Sequence, residues 1–124
     1  MNDNRPKNLA LMTMRFPVTA IVSIMHRLSG IYLILSFPFL LVALQSSLCS
    51  QVSFDVLHDL LKFFWSRFIV WLFLSALMFH FVAGIRHLLM DFGLGETLSS
   101  ARLGAFLVLF FSVLLMILMG AWVW

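Results

Sequence analysis

Charged residues are scarce in this sequence, and their scarcity excludes most classes of soluble protein. Only 10% of the 124 residues are Asp, Glu, Lys or Arg, whereas 63% are hydrophobic. The mean hydropathy of +1.08 lies far outside the range of soluble globular domains. The sequence therefore predicts an all-α integral membrane protein.

Cysteine is almost absent, because Cys49 is the only one. A disulfide within the chain and a four-cysteine iron–sulfur cluster built by this chain alone are therefore excluded. The sequence also lacks a dinucleotide-binding fingerprint, so we expect no flavin site. Its net charge of +3 is scattered rather than clustered, which argues against nucleic-acid binding. The length leaves room for a single domain, residues 1–124.

Three long apolar runs predict three transmembrane helices. Their uncharged cores contain 21, 18 and 22 residues, and roughly 20 residues are needed to cross the hydrocarbon layer. The predicted spans are about 21–48, 63–89 and 103–124. Pro17 suits the start of the first span, and Pro38 is expected to kink it. This first run is too long for a signal-peptide core and has no clear cleavage site, so we expect it to be retained.

The two connections between the spans differ in composition. Residues 45–62 mix charged and apolar side chains, which fits either a short interfacial helix or a solvated connection. The segment from Phe92 to Glu96 contains two glycines and predicts a turn.

The distribution of lysine and arginine predicts the orientation. The N-terminal flank and the second connection together carry Arg5, Lys7, Arg15, Arg27, Arg86 and Arg102. The first connection carries only Lys62 and Arg67. Since positive residues favour the cytoplasmic side, we expect a cytoplasmic N-terminus and a C-terminus on the opposite side.

One polar face occurs near the end of the second span. His80, Gly84, His87 and Asp91 are spaced i, i+4, i+7 and i+11, so they share one side of a helix. A neutral imidazole is a metal ligand, and a glycine one turn away leaves room for a flat group. The pattern predicts a haem-ligating helix. A histidine that only packs against a neighbouring carbonyl is the alternative for His80.

His80 and His87 cannot both ligate one iron. They lie about 10 Å apart along the same side of a helix, whereas two axial ligands must approach from opposite sides. The second ligand must come from His26, the only other histidine within a span, or from another protein. We expect His87 and Asp91, near the headgroups, to make surface or partner contacts.

A second polar cluster opens the first span. Ser23, Arg27 and Gly30 share a face, and His26 lies about 60° away from Ser23. A charge inside the apolar layer costs upward of about 2.5 kcal/mol unless it is paired or reaches water. Arg27 therefore needs a polar partner, for which a haem propionate, a quinone carbonyl and a lipid phosphate are candidates.

These two clusters resemble those of a known family. The motifs Ser-x-x-His-Arg-x-Ser-Gly at 23–30 and His-x-x-x-Gly-Ile-Arg-His at 80–87, with upstream Arg5-Pro6 and Arg15-Phe16-Pro17, are similar to the cytochrome b membrane anchor of succinate dehydrogenase, respiratory complex II. The resemblance covers nearly the whole chain.

The resemblance implies a specific set of sites and partners. Three membrane helices would pack with a second small anchor subunit, and the two would share one haem b, with His80 as this chain's axial ligand to the iron. Ser23 and Arg27 would lie at the ubiquinone site, and Arg27 and His26 near the haem propionates. A flavoprotein subunit and an iron–sulfur subunit would complete the enzyme.

Two other functions stay open at this point. The same architecture serves the anchor of a quinol:fumarate reductase, and a haem-free structural anchor would need His80 only for packing. The lack of an Arg-rich, acidic-poor presequence favours a bacterial inner membrane over a mitochondrial one.

Overall fold

A computed structural model describes residues 16–124, and every regular element in that range is an α-helix. The elements are α1 (Val18–Cys49), α2 (Gln51–Leu60), α3 (Phe64–Asp91) and α4 (Leu98–Val123). Of these, α1, α3 and α4 are long and apolar enough to cross a membrane. The predicted all-α fold with three spans is therefore confirmed. The described residues do not include Arg5, Pro6, Lys7 and Arg15.

Helix α1 is the longest element, with 32 residues. At 1.5 Å per residue it is about 48 Å long, well above the roughly 30 Å of the hydrocarbon layer. Pro17 occupies the N-cap position, as predicted, and the helix runs without interruption through Pro38. The excess length means that α1 either tilts or extends past the hydrocarbon at its ends.

The first connection contains the short helix α2, so the helical alternative for residues 45–62 is confirmed. The Ser50 side chain accepts a hydrogen bond from the backbone N–H of Ser53, which caps the helix start. At the other end, Lys62 Nζ lies 2.7 Å from Asp59 Oδ1, and this ammonium lowers the pKa of the Asp59 carboxyl. A position at the membrane interface remains a prediction.

The predicted turn between the last two spans is also present. Gly93 and Gly95 have φ values of 78° and 83°, which other residues adopt at a cost. Thr97 then caps α4 by accepting from the N–H of Ser100. Because of this cap, α4 begins at Leu98, five residues before the predicted span, and Arg102 lies within it.

A small core joins the three long helices. Its buried hydrophobic members are Val22 from α1, Phe79 and Ala83 from α3, and Ala105 and Val108 from α4.

Two hydrogen bonds tie α3 to α4 at their opposite ends. Trp71 Nε1 donates to the carbonyl of Met116 at 3.0 Å, and Arg86 Nη2 donates to that of Ala101 at 3.3 Å. The α3–α4 pair thus forms a support against which the N-terminal half of α1 packs.

Candidate functional site

The site lies where the N-terminal half of α1 meets the C-terminal half of α3. His80, Gly84 and His87 all face His26 of α1, as their helical spacing predicts. The two polar clusters that the sequence separates by about 50 residues therefore form one site. Asp91, on the same predicted face, is exposed as the last residue of α3.

Three imidazole rings form a stack across this contact. The ring centroid of His26 lies 4.2 Å from that of His80, at an interplanar angle of 26°, and 4.7 Å from that of His87, at 22°. We expected His87 to contact the membrane surface or a partner, but its half-buried ring packs on His26 within the chain.

This stack rules out His26 as the second axial ligand beside His80. Iron–nitrogen bonds of about 2 Å place the two axial nitrogens about 4 Å apart, with both rings pointing outward from the metal. Rings stacked face to face at 4.2 Å leave no room for an iron between them. In this arrangement His26 and His80 cannot bind one iron from opposite sides.

Two glycines allow the rings to lie this close to the helix backbones. A Cβ at Gly30 would lie 3.0 Å from Cε1 of His80, and one at Gly84 would lie 3.6 Å from Nε2 of His26. We expected Gly84 to make room for a flat group. In the structure, the flat group that lies against Gly84 is the imidazole of His26 from the same chain.

The Nδ1 atom of His80 is held by α1. It lies 3.1 Å from Ser29 Oγ and 3.2 Å from the carbonyl oxygen of His26. The Nε2 atom of the same ring makes no hydrogen bond to any residue between 16 and 124. One nitrogen is anchored and the other remains available to a ligand.

The other histidines present their nitrogens differently. His87 Nδ1 lies 2.8 Å from the carbonyl oxygen of Ala83, one turn earlier in its own helix. Nε2 of His26 is enclosed and has no hydrogen-bond partner among the described residues.

Arg27 and Ser23 take no part in the hydrogen bonds or ring stacking that the described residues make at this site. Arg27 is exposed, and within residues 16–124 its guanidinium makes no hydrogen bond or ion pair. Ser23 is half-buried, and its hydroxyl likewise bonds to none of the described residues. An arginine near the start of a spanning helix has five N–H donors to satisfy, so this side of α1 fits a polar or anionic group.

Sequence reasoning missed the contributions of Ser29 and Gly30. Both lie inside the first motif, but their roles depend on which face of α1 meets α3. A serine three residues after a histidine carries no signal of a contact with a residue 51 positions away.

Comparisons with known proteins identify the same family that the sequence motifs resemble. The family described as "Succinate dehydrogenase/Fumarate reductase transmembrane subunit" matches residues 1–119. A protein of Coxiella burnetii named succinate dehydrogenase cytochrome b556 subunit is 43% identical over 100% of both chains. A protein of the same name from Paracoccus denitrificans is 32% identical over 93% of this chain and 88% of its own. The succinate dehydrogenase cytochrome b560 subunit of Reclinomonas americana is 29% identical over 88% of this chain and 79% of its own.

Proposed function

Because this chain belongs to the succinate dehydrogenase/fumarate reductase transmembrane subunit family, we propose that it anchors a succinate dehydrogenase and supplies part of its haem b and ubiquinone sites. Family membership makes it the membrane subunit of an oxidoreductase complex. The three apolar helices and the bacterial relatives agree with the predicted multi-pass protein of a bacterial inner membrane.

The haem proposal rests chiefly on the two nitrogens of His80. Metal-bound histidines almost always donate their other N–H to a fixed acceptor. His80 has that arrangement, because Nδ1 lies against Ser29 Oγ and the His26 carbonyl while Nε2 has no partner among the described residues. Bound there, haem b would supply a one-electron redox centre whose potential depends on its axial ligands.

The second axial ligand would come from another polypeptide. Because His26, the one histidine of α1, stacks on His80, it is poorly placed to bind the same iron from the opposite side. This supports a haem shared with a second small anchor subunit, as the resemblance implies.

Arg27 and His26 would hold the propionates. Guanidinium groups match carboxylates in a two-pronged geometry, and the exposed Arg27 has no competing acceptor among the described residues. His26 would contribute through Nδ1, since its Nε2 is enclosed.

Ser23 and Arg27 would bind ubiquinone, the substrate. Their side chains have the donors that a quinone carbonyl needs, and a donor fixed before reaction stabilises negative charge as the carbonyl is reduced. Succinate oxidation itself would take place on a flavoprotein subunit, with an iron–sulfur subunit carrying electrons to this site. The chain, as one domain over residues 1–124, would bind these subunits and the lipid bilayer.

One observation favours quinone reduction as the direction of electron flow. The curated relatives are named for succinate dehydrogenase, while the family description also covers fumarate reductase. We therefore favour quinone reduction over quinol oxidation.

A reduced-minus-oxidised absorption spectrum of the purified complex tests the haem assignment. We expect His80→Ala to abolish the haem b signal, because the iron loses the ligand from this chain. His58→Ala is the control, since His58 is an exposed histidine on α2. An unchanged spectrum in His80→Ala would instead identify a packing histidine in a structural anchor.

A further inference from the structure

We infer that Ser29 is a positioning residue, whose hydroxyl, together with the His26 carbonyl, holds the proton of His80 on Nδ1 and so leaves Nε2 as the nitrogen that would ligate iron. The inference rests on the proposed haem function and deepens it. It begins from three short contacts that join Ser29, His80 and the His26 carbonyl.

The protons of this cluster can be counted. Ser29 Oγ lies 2.8 Å from the His26 carbonyl oxygen, which only accepts, so the single hydroxyl proton of Ser29 is donated there. The Ser29 oxygen can then only accept from Nδ1 of His80, at 3.1 Å. The His26 carbonyl also lies 3.2 Å from Nδ1 and also only accepts. Both neighbours of Nδ1 are acceptors, so Nδ1 carries a proton.

The opposite assignment leaves unfavourable contacts. If Ser29 donated its proton to Nδ1, the His26 carbonyl would face two lone pairs, at 2.8 Å and 3.2 Å, with no hydrogen between them. Only the Nδ1–H tautomer satisfies all three contacts. A neutral imidazole has one N–H, so Nε2 then carries the free lone pair that a metal needs.

The same contacts fix the direction of the ring. Nδ1 is shared between two acceptors on α1, one face of the ring lies on His26, and Cε1 lies over Gly30. Ser29 is itself held by its bond to the carbonyl three residues earlier. His80 is therefore oriented by α1 before any ligand arrives. His87 differs, because its Nδ1 bonds only to a carbonyl of its own helix.

A hydrogen bond at Nδ1 also changes the basicity of Nε2. Donation from Nδ1–H to an oxygen raises the electron density of the ring and strengthens its bond to the metal. A more electron-rich ligand favours ferric over ferrous iron. Removal of the Ser29 oxygen should therefore raise the midpoint potential of the haem and weaken its retention.

The test is a potentiometric titration of haem b in the purified complex, together with the molar ratio of haem to protein. We expect Ser29→Ala to raise the ratio of ferrous to ferric haem at a fixed ambient potential by up to about tenfold, and tenfold corresponds to about 59 mV for one electron. Ser29→Thr keeps a hydroxyl and should keep the wild-type potential. Ser36→Ala is the matched control, since Ser36 bonds back to the Tyr32 carbonyl on the same helix.

Each outcome decides the question. A raised potential, or loss of haem from an assembled complex, in Ser29→Ala but not in Ser29→Thr supports the positioning role. A potential equal to that of Ser36→Ala overturns it. If the Ser29→Ala complex does not assemble, Ser29→Cys replaces it. Because sulfur is a weak acceptor, the midpoint potential of the haem should rise in Ser29→Cys as well. An unchanged midpoint potential in that variant overturns the inference. Haem retained in His80→Ala would show instead that the proposed ligand itself is wrong.

Discussion

Arg27 and His26 are adjacent in sequence but differ in their surroundings. His26 turns toward α3, where its ring is stacked between two other imidazoles. Arg27, the next residue, is exposed. Successive residues of a helix diverge by about 100°, so one dipeptide serves both the interior of the chain and a surface that a cofactor or substrate can reach.

This exposure leads to a prediction for Arg27→Ala. We expect quinone reduction to fall by at least about 10-fold, since removal of one donor aimed at developing charge has cost about 10²–10³ in other enzymes. Succinate oxidation with an artificial soluble acceptor should persist. The two rates are measured on the same preparation of purified complex.

Arg102→Ala is the matched control for that experiment, because Arg102 is an exposed arginine near the start of α4. Both rates should remain at wild-type levels in this variant. A parallel loss of both rates in Arg27→Ala would point to failed assembly and contradict a role at the quinone site.

At the scale of elements, the contact between α1 and α3 depends on glycines. Gly30 on α1 lies under His80 of α3, and Gly84 on α3 lies under His26 of α1. The two positions are reciprocal but not equally tight, since an added Cβ would lie 3.0 Å from the nearest ring atom at Gly30 and 3.6 Å at Gly84. The first distance demands movement, whereas the second is an ordinary van der Waals contact.

We therefore predict different effects of the two alanine substitutions. Gly30→Ala should lower the haem content of the purified complex, because the ring of His80 must shift by a few tenths of an ångström. His80 has little freedom to shift, since Ser29 and the His26 carbonyl hold Nδ1 and His26 covers one face. Gly84→Ala should keep the wild-type haem content. Equal haem content in the two variants would contradict the crowding argument.

On the scale of the whole molecule, the chain buries little of its own apolar surface. Along α1 the described residues include only Val22 as a buried position, while Phe39 and Leu48 are each 77% exposed. A transmembrane helix can leave such side chains to lipid or to other subunits, since both are apolar. The surface fits a chain that is completed by a bilayer and partner proteins.

The overall orientation can be tested with the chain's own cysteine. Cys49 is exposed at the end of α1, on the side predicted to be periplasmic. We expect an impermeant maleimide added to intact spheroplasts to label it. A cysteine at exposed Ser99, made as Ser99→Cys in a Cys49→Ser background, should be labelled only after lysis, because α4 begins on the other side. The reverse pattern would show that the N-terminus faces outward.

The sequence by itself determined the fold class, the three spans and the motifs that identify the family. The length of an apolar run can be read directly from the sequence. Where a run is long enough to cross the hydrocarbon layer, it must form a helix, because lipid offers no hydrogen-bond partners to the backbone. Helix α4 begins five residues before the predicted span, because a cap at Thr97 extends the helix beyond its apolar run.

Only the tertiary structure decided how the polar residues meet. The spanning helices are apolar on nearly every side, so their periodicity does not reveal which face of α1 packs against α3. That choice makes His26 a stacking partner rather than a second axial ligand, and it brings Ser29 to within 3.1 Å of His80 Nδ1. Contacts between residues more than 50 positions apart depend on the relative rotation of two helices, which the packing of the small core determines.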